Sequence, residues 1–393
     1  MINRFRSMHR DRRARAALVL SIAFVASGPA SAEILWSGNY ATGDFTQWHD
    51  QYNDEVVDFH QVPKYGRPIQ YGKQLDGHVG NGDLLSLVAE TERTVDGIHY
   101  SQGPTRGSEY AARFVVKSLE NGSEPADCDN GDCSNRRTEL TAQQTLPLFY
   151  DALPYGSERW VSVSIFVPGN WDHDGSSWGP IVFQIKALND GGGVGPAITL
   201  NLQGGSWVVE HNWMGKPNCR CQLPYQQQMN YKAEGTEQAL LQDFPNQGAS
   251  EAALELEEGV WTDWIMHVKF DARGAGDGGE GFLDVWNRKG DGSWVKVLDI
   301  DPKKVTIAGR TFDHGIGQNA PPAGDPGGFG IKAGLYMDTR QMKGVASNRV
   351  IYNANIKVGD EHTTFAQMSP DGSSAGTPAE QNAAPEAPII VMQ

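Results

Sequence analysis

The chain has 393 residues, with 33 Lys and Arg against 48 Asp and Glu and a formal net charge of −15 at pH 7. That balance makes nucleic acid and anionic membranes poor partners. An anionic polymer would have to meet cations gathered in one cleft, because the field is screened over roughly 10 Å at moderate salt.

At the N-terminus Arg4, Arg6, Arg10, Arg12, Arg13 and Arg15 precede the apolar run AALVLSIAFVASG, and the small-residue ending ASA leads into Glu33. This is the pattern of a signal peptide over residues 1–32, cleaved after Ala32, and it predicts a secreted or periplasmic protein. The Arg12–Arg13 pair leaves both the Sec and the twin-arginine route open. The apolar run is shorter than the stretch of about 20 residues that spans a bilayer, and no later segment approaches that length. Removing residues 1–32 takes away six Arg and one Asp and moves the formal charge from −15 to −20.

Downstream, short β-rich runs alternate with Gly, Asp, Asn and Pro. Ten strands are predicted: ARFVVKSL, RTELTAQ, WVSVSIFV, PIVFQIKA, AITLNLQ, SWVVEHN, WTDWIMHVKFD, GFLDVWNR, FGIKAGLYM and VIYNANIKV. No long segment carries the helical period, although KAEGTEQALLQDF reads as a short helix in an insertion. The expected fold class is all-β, a β-sandwich of jelly-roll type with two packed antiparallel sheets, as one domain over residues 33–366. Residues 367–393, rich in Ser, Gly, Pro, Ala and Gln, read as a disordered low-complexity tail.

Cys128, Cys133, Cys219 and Cys221 suit an oxidising compartment, and four cysteines allow three pairings. A zinc site is the competing reading, but it lacks neighbouring His at ligand spacing. A bridge inside C-x-C closes a tight ring, so the first expectation is two cross-links between the 128–133 loop and the 219–221 loop.

Strict alternation along IVFQIKA puts Val182, Gln184 and Lys186 on one face and Ile181, Phe183 and Ile185 on the other. The same rule groups Arg137, Glu139 and Thr141 in the strand that begins at Arg136. It also groups Lys332, Gly334, Tyr336, Asp338 and Arg340 in GIKAGLYMDTR. If the three apolar faces share the core, the polar faces form one surface bearing Arg137, Glu139, Gln184, Lys186, Lys332 and Tyr336. Singly, each residue reads more simply as structural: polar outer sheet faces are ordinary, and Arg beside Glu is usually a solvated ion pair. Glu139 would then orient Arg137, Tyr336 would be half-buried packing, and Gly334 marks either a bulge or the close approach of a ligand.

The motifs R-T-E-L, Q-I-x and K-A-G-x-Y, in this order, resemble the three motif strands of jelly-roll polysaccharide lyases, namely alginate lyases and the heparin lyase-like group. WVSVSIFVPGNW, GVWTDWIMHVKF and GFLDVWNRKGDGSW also resemble the second group, so the likeness covers most of residues 33–365. Each motif is weak alone; three in order with consistent facing are fairly specific. The resemblance implies that Arg137 and Gln184 bind a uronate carboxylate, that Tyr336 handles protons, and that Lys332 supports the Tyr or the substrate. Alginate lyases of this type carry His two places after the Gln, where this chain has Lys186. The base is therefore open between Lys186, Tyr336 and a His.

Arg136, Glu139, Arg340 and His211 complete the substrate-binding candidates beside Lys332. His211 shares a face with Trp207 and Val209 by alternation, which favours packing, and His173 in NWDHDG is a further candidate base. Trp171, Trp178 and Trp213 line a sugar groove or belong to the core.

The chemistry explains why such residues would gather. A uronate C5 proton is poorly acidic until its carboxylate is neutralised and the enolate-like charge is stabilised, which Arg137 and Gln184 can do. Tyr has an ordinary pKa near 10, and neighbouring Arg and Lys favour the phenolate that takes the C5 proton. The expected function is that of a secreted endo-acting lyase cleaving a uronate polysaccharide by β-elimination, as a monomer. No cofactor or catalytic metal is required, and a structural calcium is compatible with NWDHDG, which is not a complete calcium loop. The rivals are a glycoside hydrolase, which needs two carboxylates across the scissile bond, and a non-catalytic carbohydrate-binding module.

Overall fold

The computed structural model describes residues 32–41, 45–48, 57–60, 85–89, 94–95, 98–99, 105–116, 135–142, 152–169, 171, 180–187, 196–214, 226–232, 251–273, 278–300, 304–307, 310–313, 315–317, 328–338 and 349–374. The cysteine loops, His173, Trp178, Arg340, the NWDHDG loop beyond Trp171, the 233–244 insertion, and residues 1–31 and 375–393 lie outside the described residues. So do the side chains of Arg136, Arg137 and Trp213.

The early strands are β1 (Ile34–Ser37), β2 (Val57–His60), β3 (Leu85–Ala89), β4 (Thr94–Val95), β5 (Ile98–His99), β6 (Tyr110–Val116) and β7 (Asn135–Ala142). Then come β8 (Glu158–Phe166), β9 (Ile181–Ala187), β10 (Ile198–Gln203), β11 (Ser206–Met214), β12 (Gln226–Lys232) and β13 (Trp261–Lys269). The last are β14 (Phe282–Lys289), β15 (Val295–Ile300), β16 (Lys304–Ile307), β17 (Arg310–Asp313), β18 (Phe329–Asp338) and β19 (Arg349–Gly359). Two one-turn helices, α1 (Glu251–Leu254) and α2 (Phe365–Met368), accompany them. All ten strands predicted from sequence are present. The additional ones are short, or polar like β12 (QQQMNYK), and carry little alternation to detect.

One sheet has the order β15-β14-β13-β8-β19-β6-β3 with β1 also on β19; the other runs β12-β11-β10-β9-β18-β7-β2, and every pairing in both is antiparallel. This is a jelly-roll β-sandwich. Both sheets contribute to a single apolar interior, because alternation sends Val161, Val163 and Ile165 of β8 inward from one side and Phe183, Ile331 and Ala333 inward from the other. Large aromatics close the gap between the layers. Trp207 of β11 meets Trp264 of β13 edge-on at 5.2 Å, and Phe270 stacks on Phe329 at 4.3 Å.

Packing continues through residue 374, past Ala366 where the sequence reading ended the sandwich. Thr364 and Gln367 form a capping box at the start of α2, and Met368 is fully buried on the outer face of the first sheet beside Ile265 and Trp294. Apolar Phe365 and Met368 help to hold this otherwise polar stretch. Composition averaged over the tail from residue 367 conceals Met368.

Candidate active site

Three strands of the second sheet, β7, β18 and β9, lie side by side. Register, rather than sequence distance, decides which of their residues meet. Tyr336 is opposite Arg137, Gly334 opposite Glu139, and Lys332 lies between Thr141 on one side and Gln184 on the other. Directly paired residues share a face, so Glu139, Gln184, Lys332 and Tyr336 are on one side of the sheet, where Arg137 holds the register position opposite Tyr336, with Thr138, Leu140, Ala333 and Leu335 buried on the other.

The face continues beyond these three strands. Thr199 is opposite Gln184, Glu210 opposite Thr199, and Asn230 opposite Glu210. A polar row therefore runs through five strands, Thr141–Lys332–Gln184–Thr199–Glu210, and Asn230 holds the next register position on β12. A parallel row places His60 of β2 opposite Arg137 and Asn201 of β10 opposite Ile181. His60 was not among the sequence candidates, because VDFH in isolation gives no indication of which strand it joins.

Strict alternation fails at one point of IVFQIKA. Val182 belongs to the interior cluster with Phe183, whereas Ile181 does not. The reason is a β-bulge: β9 changes register against both neighbours between Phe183 and Ile181. Val182 is thus corrected from the groove face to the core, and Ile181 moves to the groove face beside Tyr336.

On this face, the candidate substrate groove, buried and partly exposed side chains lie next to one another. Glu139 and Gln184 are 1% and 4% exposed, while Lys186, Lys332 and Tyr336 are partly exposed. Gln184 Nε2 donates to Glu139 Oε1 at 2.6 Å, short for an N–H···O bond. The sequence suggests Glu139 as an anchor for Arg137, whose side chain lies outside the described residues; Gln184 is a partner that is observed, and Glu139 fixes its amide plane. Thr199 is also fully buried, and its hydroxyl has no hydrogen-bond partner among the described residues. Farther along, Asn201 Nδ2 donates to Glu210 Oε2 at 3.4 Å.

Lys186 stands apart from Tyr336. It pairs with Gly330, whereas Tyr336 is opposite Ile181, five residues along β9, or about 17 Å at strand rise. His211 is corrected as well. It is fully buried opposite Ile198, on the interior face with Trp207 and Val209, and so does not line the groove. Trp171 is buried in the interior cluster, with the Arg349 guanidinium 5.4 Å from its ring centre. Among the described residues no three His, Cys, Asp or Glu side chains group as a metal site would require.

Residues 40–357 match the family model described as Polysaccharide lyase. The chain belongs to the polysaccharide lyase family. As in the resemblance of its motifs, the match spans most of both sheets of this polysaccharide lyase. Solved structures similar to it include the GH131 beta-glucanase catalytic domain from Podospora anserina, at 12% identity and TM-score 0.38, covering 86% of this chain and 99% of that one. The alginate lyase from Klebsiella pneumoniae is similar at 12% identity and TM-score 0.36, covering 70% and 94%. The PL-14 alginate lyase from Aplysia kurodai is similar at 10% identity and TM-score 0.33, covering 64% and 83%. No curated protein matches the chain. These structural likenesses are too distant to carry residue roles across.

Proposed function

We propose that this polysaccharide lyase is an exported, endo-acting enzyme that cleaves a uronate-containing polymer by β-elimination, with Tyr336 as the proton carrier. The observation that carries the reading is the register of β7, β18 and β9, which gathers Arg137, Glu139, Gln184, Lys332 and Tyr336 on one sheet face. On this reading Arg137 and Gln184 neutralise the uronate carboxylate as the enolate develops, and Glu139 holds the Gln184 amide in place. Tyr336, as phenolate, takes the C5 proton, and the resulting phenol returns a proton to the departing O4.

The place of Lys186 bears on stereochemistry. In glucuronate and mannuronate the C5 hydrogen and O4 lie on the same side of the ring, so one tyrosine can serve both. In guluronate and iduronate they lie on opposite sides and a second carrier is required. With Lys186 about 17 Å along the strand from the Tyr336 row, it contacts a neighbouring sugar rather than the reacting one. Glucuronate or mannuronate polymers are therefore the favoured substrates. A hydrolase is less well supported, because Glu139 is 1% exposed and engaged with Gln184 rather than presented to a glycosidic oxygen.

The test is a panel of acidic polysaccharides read by ultraviolet absorbance of the unsaturated uronide. Product from glucuronate or mannuronate polymers, with Lys186→His retaining far more activity than Tyr336→Phe, is the expected result. Rapid cleavage of guluronate blocks alone would overturn the single-tyrosine scheme. New reducing ends without ultraviolet absorbance would indicate a hydrolase, and binding without turnover would indicate a carbohydrate-binding module.

A further inference from the structure

Gly334 lies where β18 changes register: Ala333 is opposite Phe183 but Tyr336 is opposite Ile181, so three steps on β18 match two on β9. Its φ is +143°, a conformation that strains any side chain. A Cβ there would collide with the Thr138 carbonyl oxygen and would lie 2.7 Å from Glu139 Cα and 2.9 Å from Phe114 Cδ1. Only glycine fits.

What receives the displaced Gly334 N–H comes from the opposite sheet. With its amide oriented to satisfy both neighbours, Asn353 accepts from Gly334 N at 3.2 Å and donates to the Tyr352 carbonyl at 3.0 Å. Asn353 is fully buried on β19, between Ala112 of β6 and Ile165 of β8. Close by, Thr138, which is opposite Leu335, donates from Oγ1 to the Val115 carbonyl of the opposite sheet at 2.7 Å. Two polar stitches thus cross the apolar interior directly behind the segment that carries Glu139, Gly334 and Tyr336.

We propose that Asn353 is a positioning residue for the reaction: by holding the Gly334 N–H away from the β18–β9 ladder it fixes the bulge, and the bulge sets Tyr336 opposite Ile181. Regular pairing continued from Ala333 would put Tyr336 opposite Pro180 instead. The bulge draws the tyrosine one residue nearer to Gln184, about 3.3 Å along the strand. A displacement of that size is large where a 1 Å misplacement costs roughly a hundredfold in rate. The inference rests on the role proposed above for Tyr336.

The test uses Asn353→Leu, which removes both hydrogen bonds at similar volume, and Asn353→Asp, which keeps the shape and carries the test if the leucine variant does not fold. In folded Asn353→Leu, kcat falls roughly tenfold to a hundredfold while KM changes about twofold or less, and the Gly334 amide exchanges faster with solvent. In the aspartate variant a buried, protonated carboxyl can accept and donate as the amide does. Asn353→Asp is therefore active on the acid side and loses activity as pH rises and that carboxyl ionises, a limb missing from the parent enzyme. The Tyr336 ring carbon signal and Gly334 exchange are followed alongside turnover. Unchanged kcat, ring signal and exchange in the leucine variant, or a parental pH profile in the aspartate variant, would overturn the proposal. Absence of unsaturated product from the parent enzyme overturns the function alone; the ring signal and amide exchange still decide whether Asn353 governs the bulge.

Discussion

The outer faces of the two sheets are written in the same code, apolar inward and polar outward, yet they end in opposite situations. On the eight-stranded sheet the chain covers its own polar face. Asp263 is fully buried and accepts from Ser164 at 2.6 Å, from Arg106 at 2.9 Å and from Arg288 at 2.8 Å. Arg288 then reaches Asp371 at 2.7 Å, and Trp294 Nε1 donates to Ser373 at 3.0 Å. Asn355 and Lys357 donate to the Met368 and Gln367 carbonyls at 3.2 and 3.0 Å. These polar groups bind the C-terminal segment in place. On the seven-stranded sheet Lys186, Lys332 and Tyr336 keep part of their surface in solvent above a buried floor of Glu139, Gln184 and Thr199. Identical alternation supplies a fastening on one face and a groove on the other.

Substitutions that act on one face and spare the other break or sharpen this contrast. The largest effect is expected from Tyr336→Phe, which should lower kcat by roughly 10²- to 10⁴-fold with little change in melting temperature. Retention of most of the activity would remove Tyr336 from the mechanism. Asp263→Ala should do the reverse, leaving Arg106 and Arg288 without their shared carboxylate and costing about 3–5 kcal/mol in denaturant unfolding. Its kcat per folded molecule should stay within about twofold, since nothing in this network touches the groove; a large kcat loss would show that the two faces are coupled. Gln184→Ala should cost about 2–4 kcal/mol of transition-state stabilisation, seen in kcat rather than in KM alone. Glu139→Gln, which keeps a partner for the Gln184 amide, should cost less than Glu139→Ala.

The contrast also explains how much could be read from the sequence. Strands with strict alternation and β-branched or aromatic residues, such as WVSVSIFV and WTDWIMHVKFD, announce both their existence and their facing. The motif residues on β7, β9 and β18 were legible because two of those three strands keep alternation through the site. What failed depends on information from another strand. The bulge that exchanges Ile181 for Val182 is set by pairing with β10 and β18, and Asn353 in VIYNANIKV looks like any polar strand residue until Gly334 is across from it. The Glu139–Gln184 bond joins residues 45 positions apart. His60 is opposite Arg137 only through register. Likewise, SPDGS reads as tail composition, and it takes Arg288 from a distant strand to tie Asp371 to the sheet.

The smallest expected effect tests the covered face by pH. Asp284 on β14 is held at 2.8 Å by Lys296, which also meets Asp299 at 2.9 Å. Burial raises the Asp284 pKa from 3.8 to about 6; Lys296 opposes the rise and the Asp299 charge adds to it. The unfolded chain therefore gives up this proton near pH 4 and the folded chain keeps it until about pH 6. The folded state binds more protons across that window, so the contribution of Asp284 is fully present below about pH 4 and is lost as pH rises through about 6. His267, opposite Asp284 in register, works against this: burial first, and then the Lys296 charge, lower its pKa although Glu158 pulls the other way. A lowered His pKa contributes stability that is present above the ordinary value near 6.5 and lost as pH falls through the folded value. The two groups therefore act in opposite directions as pH rises. Asp284→Asn removes one of them, and Lys296 keeps Asp299 as its partner. The variant should therefore gain stability relative to wild type on going from pH 4 to pH 7, by about 1 kcal/mol after allowance for the weakened Lys296 pairing. Thermal unfolding of both proteins across that range checks this, and a difference in Tm that stays flat with pH would mean that Asp284 titrates as an ordinary carboxylate. Turnover by the folded variant should be unchanged at every pH, because Asp284 lies on the face away from the groove.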